Sequence, residues 1–159
     1  MEKMYKKVIT GMTYDYERAN NHHVELITQK VSAKEMPNIE LEFISKHHYG
    51  CCLHFSMALF QLMKKAGMEA YISITLEANP VTFEITDRHV SVYYVVNNKG
   101  FIADPVEEIK SGKGDFSSIP IEKYLKEHGT IWIYDPYGEH GDELFFETFL
   151  NYPLDTFKG

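Results

Sequence analysis

Gly50-Cys51-Cys52-Leu53-His54-Phe55-Ser56-Met57-Ala58-Leu59-Phe60-Gln61-Leu62-Met63-Lys64-Lys65-Ala66-Gly67 is the most strongly patterned run in the chain. Cys52, Phe55, Ser56, Leu59, Leu62, Met63 and Ala66 repeat at the spacing of one helical face, and Leu53, Met57 and Phe60 add a second apolar stripe. Only His54, Ala58, Gln61 and Lys65 are left for a wet face. The pattern predicts a helix over Cys52–Ala66, mostly buried and near the centre of the domain. Lys64 and Lys65 suit its negative end, and Gly67 supplies a left-handed stop.

Downstream the period changes from helix to strand. Ala70, Ile72, Ile74 and Leu76 alternate with Tyr71, Ser73 and Thr75. A loop follows around Asn79-Pro80, extending toward Asp87. His89–Val96 and Gly100–Asp104 then read as two strands joined at Asn97-Asn98, since Asn tolerates the positive φ of a tight hairpin turn. Pro120 opens a helix to about His128, Ile131–Tyr134 forms another strand, and Asp142–Leu150 a last short helix. Upstream, residues 13–31 look helical, with Thr13 as cap and Asp15 and Glu17 in the first turn. Residues 38–45 fit two descriptions: Ile39, Leu41 and Phe43 alternate like a strand, yet Asn38 would also cap a short helix. Helices first and strands later predict an α+β fold with an antiparallel sheet.

A chain of 159 residues has the length of one domain, taken as 1–159, and no repeat or linker divides it. Lys and Arg number 16 against 23 Asp and Glu, a net charge of −7, and Arg18 and Arg88 are the two arginines. No basic stripe exists, so nucleic acid is not an expected partner. No signal-peptide core follows the charged Met1–Lys7 segment, and no window has the apolar length of a membrane span. A cytoplasmic protein with no membrane partner is expected, its oligomeric state open. The two cysteines are neighbours, Cys51 and Cys52, and cannot staple a loop.

That cysteine pair falls where thiol chemistry is favoured. At a helix start, unpaired backbone N–H groups and the positive dipole end stabilise a thiolate and an oxyanion, which points to Cys52 as a nucleophile. Cys51 is read as a packed, structural thiol. A nucleophile needs a base and the base an orienting partner. With Asn97-Asn98 as a two-residue turn, Val96 pairs with Lys99, Asp104 falls opposite Ser91, and His89 is its diagonal neighbour on the same face. Diagonal positions lie roughly 7–8 Å apart, within reach of a His–Asp hydrogen bond. A four-residue loop would shift the register and lose that reach.

Gly50-Cys51-Cys52-Leu53-His54-Phe55-Ser56 resembles the transglutaminase-like superfamily motif of Gly, any residue, Cys, two residues, an aromatic, then Ala or Ser. His89-Val90-Ser91-Val92-Tyr93 and Gly100-Phe101-Ile102-Ala103-Asp104-Pro105 resemble that family's histidine and Asp-Pro strands. The resemblance spans roughly residues 38 to 106. Ser91 and Leu53 stand where the family often has an aromatic and a Trp or charged residue. It implies a papain-like, transglutaminase-like α+β domain, with N-terminal helices and a central buried helix packed on an antiparallel sheet. It also implies Cys52 as nucleophile, His89 as base and Asp104 as orienter. Arylamine N-acetyltransferases share a similar Cys, His, Asp order, but are longer and carry an Arg-Gly-Gly lead-in where this chain has Lys46-His47-His48-Tyr49.

The expected activity is acyl transfer through a thioester on a peptide, protein or small amide substrate, by hydrolysis or transamidation. The alternative is a catalytically silent interaction domain on the same fold. No cofactor is expected. His47, His48, Cys51, Cys52 and His54 cluster in sequence, but zinc sites usually draw a second ligand pair from elsewhere, and a helix sends Cys52 and His54 to different faces, so no metal is expected either. The 134–142 segment reads first as a solvated acidic turn, with Asp135 as runner-up orienter and Glu139 or His140 as candidate substrate contacts.

Overall fold

A computed structural model describes residues 2–32, 34–82, 84–111, 118–128 and 131–138 of the chain. In chain order the elements are α1 (Glu2–Ile9), β1 (Thr13–Tyr14), α2 (Tyr16–Thr28), α3 (Met36–His47), β2 (Tyr49–Gly50), α4 (Cys52–Lys65), β3 (Glu69–Ala78), β4 (Ile85–Val96), β5 (Lys99–Ala103), α5 (Pro105–Ser111), β6 (Ile119–Pro120), α6 (Ile121–His128) and β7 (Ile131–Tyr134). The fold is α+β: six helices among the described residues, and a five-stranded antiparallel sheet in the order β6-β5-β4-β3-β7. No helix among the described residues is long and apolar enough to cross a membrane. The helix expected over Asp142–Leu150 lies outside the described residues.

α4 runs along the predicted span and lies against one face of the sheet. Ala70, Ile72 and Ile74 of β3 share that face with Val90, Val92 and Tyr94 of β4 and Ala103 of β5, all buried with α4 in one core. Gly67 ends the helix at φ +78°, with the Met68 N–H returned to the Met63 carbonyl at 3.0 Å. Of the expected wet face only Lys65 is exposed: His54 and Ala58 are fully buried, and Gln61 nearly so. α3 buries the His54 side, where Glu40 approaches, and Tyr137 covers the other, stacking on Phe60 and donating its hydroxyl to Gln61 Oε1.

The ambiguous 38–45 segment is helical, within α3. Met36, Glu40 and Ile44 line its buried side at four-residue spacing, and left-handed His48 (φ 60°) ends it and turns the chain into β2. The helix expected over 13–31 starts later. Thr13 and Tyr14 form β1, parallel to Tyr49 and Gly50, and Asp15 caps α2 by accepting the Arg18 N–H at 3.1 Å. Gly50 is required by close approach: a Cβ there would meet His54 Cβ at 2.9 Å. Two helices, α1 and α5, have no counterpart in the sequence expectations. α1 buries Tyr5 and Val8, and α5 buries Pro105 and Val106.

Candidate functional site

The hairpin that aligns His89 with Asp104 has the predicted register. Asn97 and Asn98 adopt φ 52° and 63°, and Val96 pairs with Lys99 through to Val92 with Ala103. Asp104 lies one residue beyond the last paired position, where β5 leaves the sheet. His89 Nε2 and Asp104 Oδ2 are 2.5 Å apart, and the two side chains retain 17% and 22% exposure. The second carboxylate oxygen caps α5, accepting the N–H groups of Val106 at 3.1 Å and Glu107 at 3.3 Å. Asp104 is therefore fixed by a helix it starts while it fixes a histidine on the neighbouring strand. Nε2 is committed to Asp104, and the other ring nitrogen of His89, Nδ1, is buried.

Because β5 departs after Ala103, the edge of β4 that it leaves beyond Val92 meets α4, while the other edge stays paired with β3. Ser56 Oγ donates to the Val90 carbonyl at 2.9 Å. The Val90 N–H hydrogen-bonds to the thiol of Cys52, the first residue of α4. The thiol thus contacts the residue immediately after His89, and the charge of Asp104 is felt there. Cys52 is fully buried.

The helix start does not act on Cys52 as expected. Cys51 is the N-cap, and an N-cap side chain, not that of the first helical residue, folds back onto the opening N–H groups. The thiol of Cys51 faces those groups and lies 3.2 Å from His54 Nδ1, while its own N–H donates to the same nitrogen at 3.1 Å. Burial pushes the Cys51 thiol up, but the hydrogen bond from Cys52, the charge and hydrogen bond of His54 and the Leu53 N–H outweigh it, holding Cys51 well below the usual thiol range. Cys52 moves the other way: burial raises it first, then the hydrogen bond and charge of Cys51. Cys51 is thus packed as expected but is also the thiol most ready to ionise.

Behind Cys51 a polar line runs into the helical layer. His54 Nε2 lies 3.6 Å from Glu40 Oε2, and His22 Nε2 3.3 Å from Glu40 Oε1. Burial opposes the charge on His54, but Glu40 and Cys51 outweigh it and raise His54 from 6.5 to about 9. Sequence reasoning missed Glu40 and His22. Their signal was a carboxylate on the apolar stripe of a helix, visible only once 36–47 is read as helical rather than extended.

Two further groups complete the surroundings of His89. Thr75 is its direct partner on β3, and Thr75 Oγ1 and Tyr124 Oη are 2.6 Å apart. Through that contact α6 covers the sheet face that carries His89. On the other side is Tyr5, whose ionisation is suppressed by burial and then by the charge of Asp104. Asp135 is not brought to this site. Its carboxylate accepts the Tyr137 N–H at 3.0 Å and closes the turn after β7. Glu139 and His140 lie outside the described residues. No family model, no curated protein and no solved structure matches the chain.

Proposed function

We propose that the chain is a cysteine-dependent acyl-transfer enzyme on a papain-like, transglutaminase-like fold, with Cys52 as nucleophile, His89 as base and Asp104 as orienter. The observation that carries the reading is the 2.5 Å contact of His89 Nε2 with Asp104, one residue from the backbone N–H that holds the Cys52 thiol. The family resemblance of the same three segments supports it. Cys51, His54 and Glu40 make a second cysteine, histidine and carboxylate series, but all three are fully buried in the helical layer. His89 and Asp104 keep partial exposure, so a substrate carbonyl approaches from their side.

In this mechanism His89 Nδ1 takes the Cys52 proton as sulfur attacks an amide or ester carbonyl. Nε2 stays bonded to Asp104, which stabilises the imidazolium. The N–H of Cys52, at the positive end of α4, donates to the tetrahedral oxyanion. His89 returns the proton to the departing amine, leaving a thioester, which water or a second amine resolves. The upward shift of Cys52 means that the resting thiol is neutral and ionises when the acyl group arrives.

The silent-domain reading draws on the complete burial of Cys52 and on that upward shift. A panel of amide and ester substrates, with and without an added primary amine, separates the two. Turnover lost in both Cys52→Ser and His89→Ala, but kept in Cys51→Ser, supports the enzyme. Turnover equal in wild type and Cys52→Ser, or absent throughout, overturns it.

A further inference from the structure

We propose that His22, Glu40 and His54 form a binding site for a divalent transition-metal ion of the zinc class, clamping α2, α3 and α4 together. One donor comes from each helix, and the candidate ligand atoms all lie within 4.8 Å of one another. The site stands apart from His89 and Asp104, and the proposal does not depend on Cys52 being a nucleophile.

The geometry is poor for a hydrogen-bonded triad and good for coordination. Glu40 is fully buried, a placement that is costly for a carboxylate unless its oxygens are well paired. Its contact to His22 is 3.3 Å, and its approach to His54 is 3.6 Å, beyond a hydrogen bond. Glu40 Oε2 and His54 Nε2, both buried, have no hydrogen-bond partner among the described residues. Zinc bound tetrahedrally at its usual N and O distances separates its ligand atoms by roughly 3.3–3.6 Å. The two measured separations, one to each oxygen of Glu40, lie in that range, and one ion between the three residues would engage the unpartnered Glu40 Oε2 and His54 Nε2.

The surroundings are those of a metal-bound histidine pair. The far nitrogen of His54 lies 3.2 Å from the Cys51 sulfur, the acceptor for its N–H when Nε2 takes the ion, and this contact sets the ring so that Nε2 faces Glu40. Phe43 stacks on His22 with ring centroids 3.7 Å apart and fixes that ring in turn. The two imidazoles approach to 5.2 Å between centroids, with Glu40 spanning them. His22 retains 10% exposure and marks the entry route, leaving a fourth position for water. A neutral imidazole binds through a bare Nε2, so each ring keeps its one proton on Nδ1, and a ring that starts as imidazolium releases its Nε2 proton to solvent as the ion enters.

The test is titration of the full-length chain, free of any histidine tag and stripped with chelator, by Zn²⁺ and by Co²⁺. The expected result is one equivalent bound at a Kd of about 1 µM or tighter, with visible absorption from four-coordinate Co²⁺ that Zn²⁺ abolishes. Replacing a ligand should cost more than the roughly 10- to 100-fold attached to outer partners, so His22→Gln and Glu40→Gln should each weaken binding by about 100-fold or more. His47→Gln and His48→Gln, at exposed positions, should not change it. No binding by the wild type, or equal binding by wild type and His22→Gln, overturns the proposal. His22 lies at the edge of the core, so its variant decides the matter even if Glu40→Gln fails to fold.

Discussion

Replacing Asp104 by Asn separates the two roles of one carboxylate. Oδ1 accepts the Val106 and Glu107 N–H groups, and Oδ2 meets His89 Nε2. Of the amide's two ends only the oxygen can accept from the helix, so in Asp104→Asn it takes the cap and the NH₂ group turns to His89. A donor then faces Nε2, and the imidazole responds by moving its proton to Nδ1, the nitrogen meant to take the thiol proton. The stability cost is small: a charge-assisted bond worth about 1.5–3 kcal/mol gives way to a neutral one of about 0.5–1.5 kcal/mol, a net loss near 1 kcal/mol. For a chain of this size that is a Tm drop of about 2–4 °C. Asp104→Ala also loses the cap, about another 1 kcal/mol, and should fall by about 4–8 °C. Acyl transfer should fall by roughly 10³- to 10⁴-fold in Asp104→Asn, the scale of a wrong-tautomer histidine. Long-range proton–nitrogen NMR correlations of the imidazole rings read the tautomer without any substrate. His89 should carry its proton on Nε2 in the wild type and on Nδ1 in Asp104→Asn. The same tautomer in both, or an Asn variant melting as low as the Ala variant, refutes the reasoning.

Other perturbations test neighbouring parts of the account. Cys51→Ala removes a hydrogen bond and a charge that both raise the Cys52 thiol; the Cys52 pKa should fall, and its iodoacetamide reaction, followed against pH in metal-free buffer, should shift to lower pH. Ser56→Ala leaves the Val90 carbonyl short of a buried donor 2.9 Å away, and urea unfolding should register a loss of about 1–3 kcal/mol. Gly50→Ala drives a methyl to 2.9 Å from His54 Cβ; overpacking there should cost about 1–3 kcal/mol, read as a lowered Tm.

The parts of the fold that were legible in the sequence are those set by local pattern. α4 was written in its apolar stripes and in Gly67, and the β4–β5 register in Asn97 and Asn98, whose positive φ selects the two-residue turn. That register was enough to bring Asp104 to His89. What escaped depended on tertiary packing. His54 looks like a wet position because it breaks an apolar pattern, yet α3 covers it and Glu40 meets it there. The start of α4 at Cys52 was legible, but the electrostatics of the cysteine pair turned on the N-cap thiol of Cys51, rather than that of the first helical residue, facing the opening N–H groups. α5 did leave a signal, Asp104 as cap and Pro105 in the first turn, but the Asp-Pro pair was read as a strand end. Residues 36–47 alternate and repeat at once, and it is burial of Met36, Glu40 and Ile44 that selects the helix.

The central claim is that Cys52, through His89, carries an acyl group. The most direct measurement is fragment-resolved mass spectrometry of the chain after brief exposure to p-nitrophenyl acetate, with adjacent Cys51 and Cys52 distinguished by backbone cleavage between them. The account predicts a transient acetyl thioester on Cys52, formed and hydrolysed much more slowly in His89→Ala. An acetyl group on Cys51 instead, or a Cys52 adduct whose formation and decay ignore His89, would contradict it.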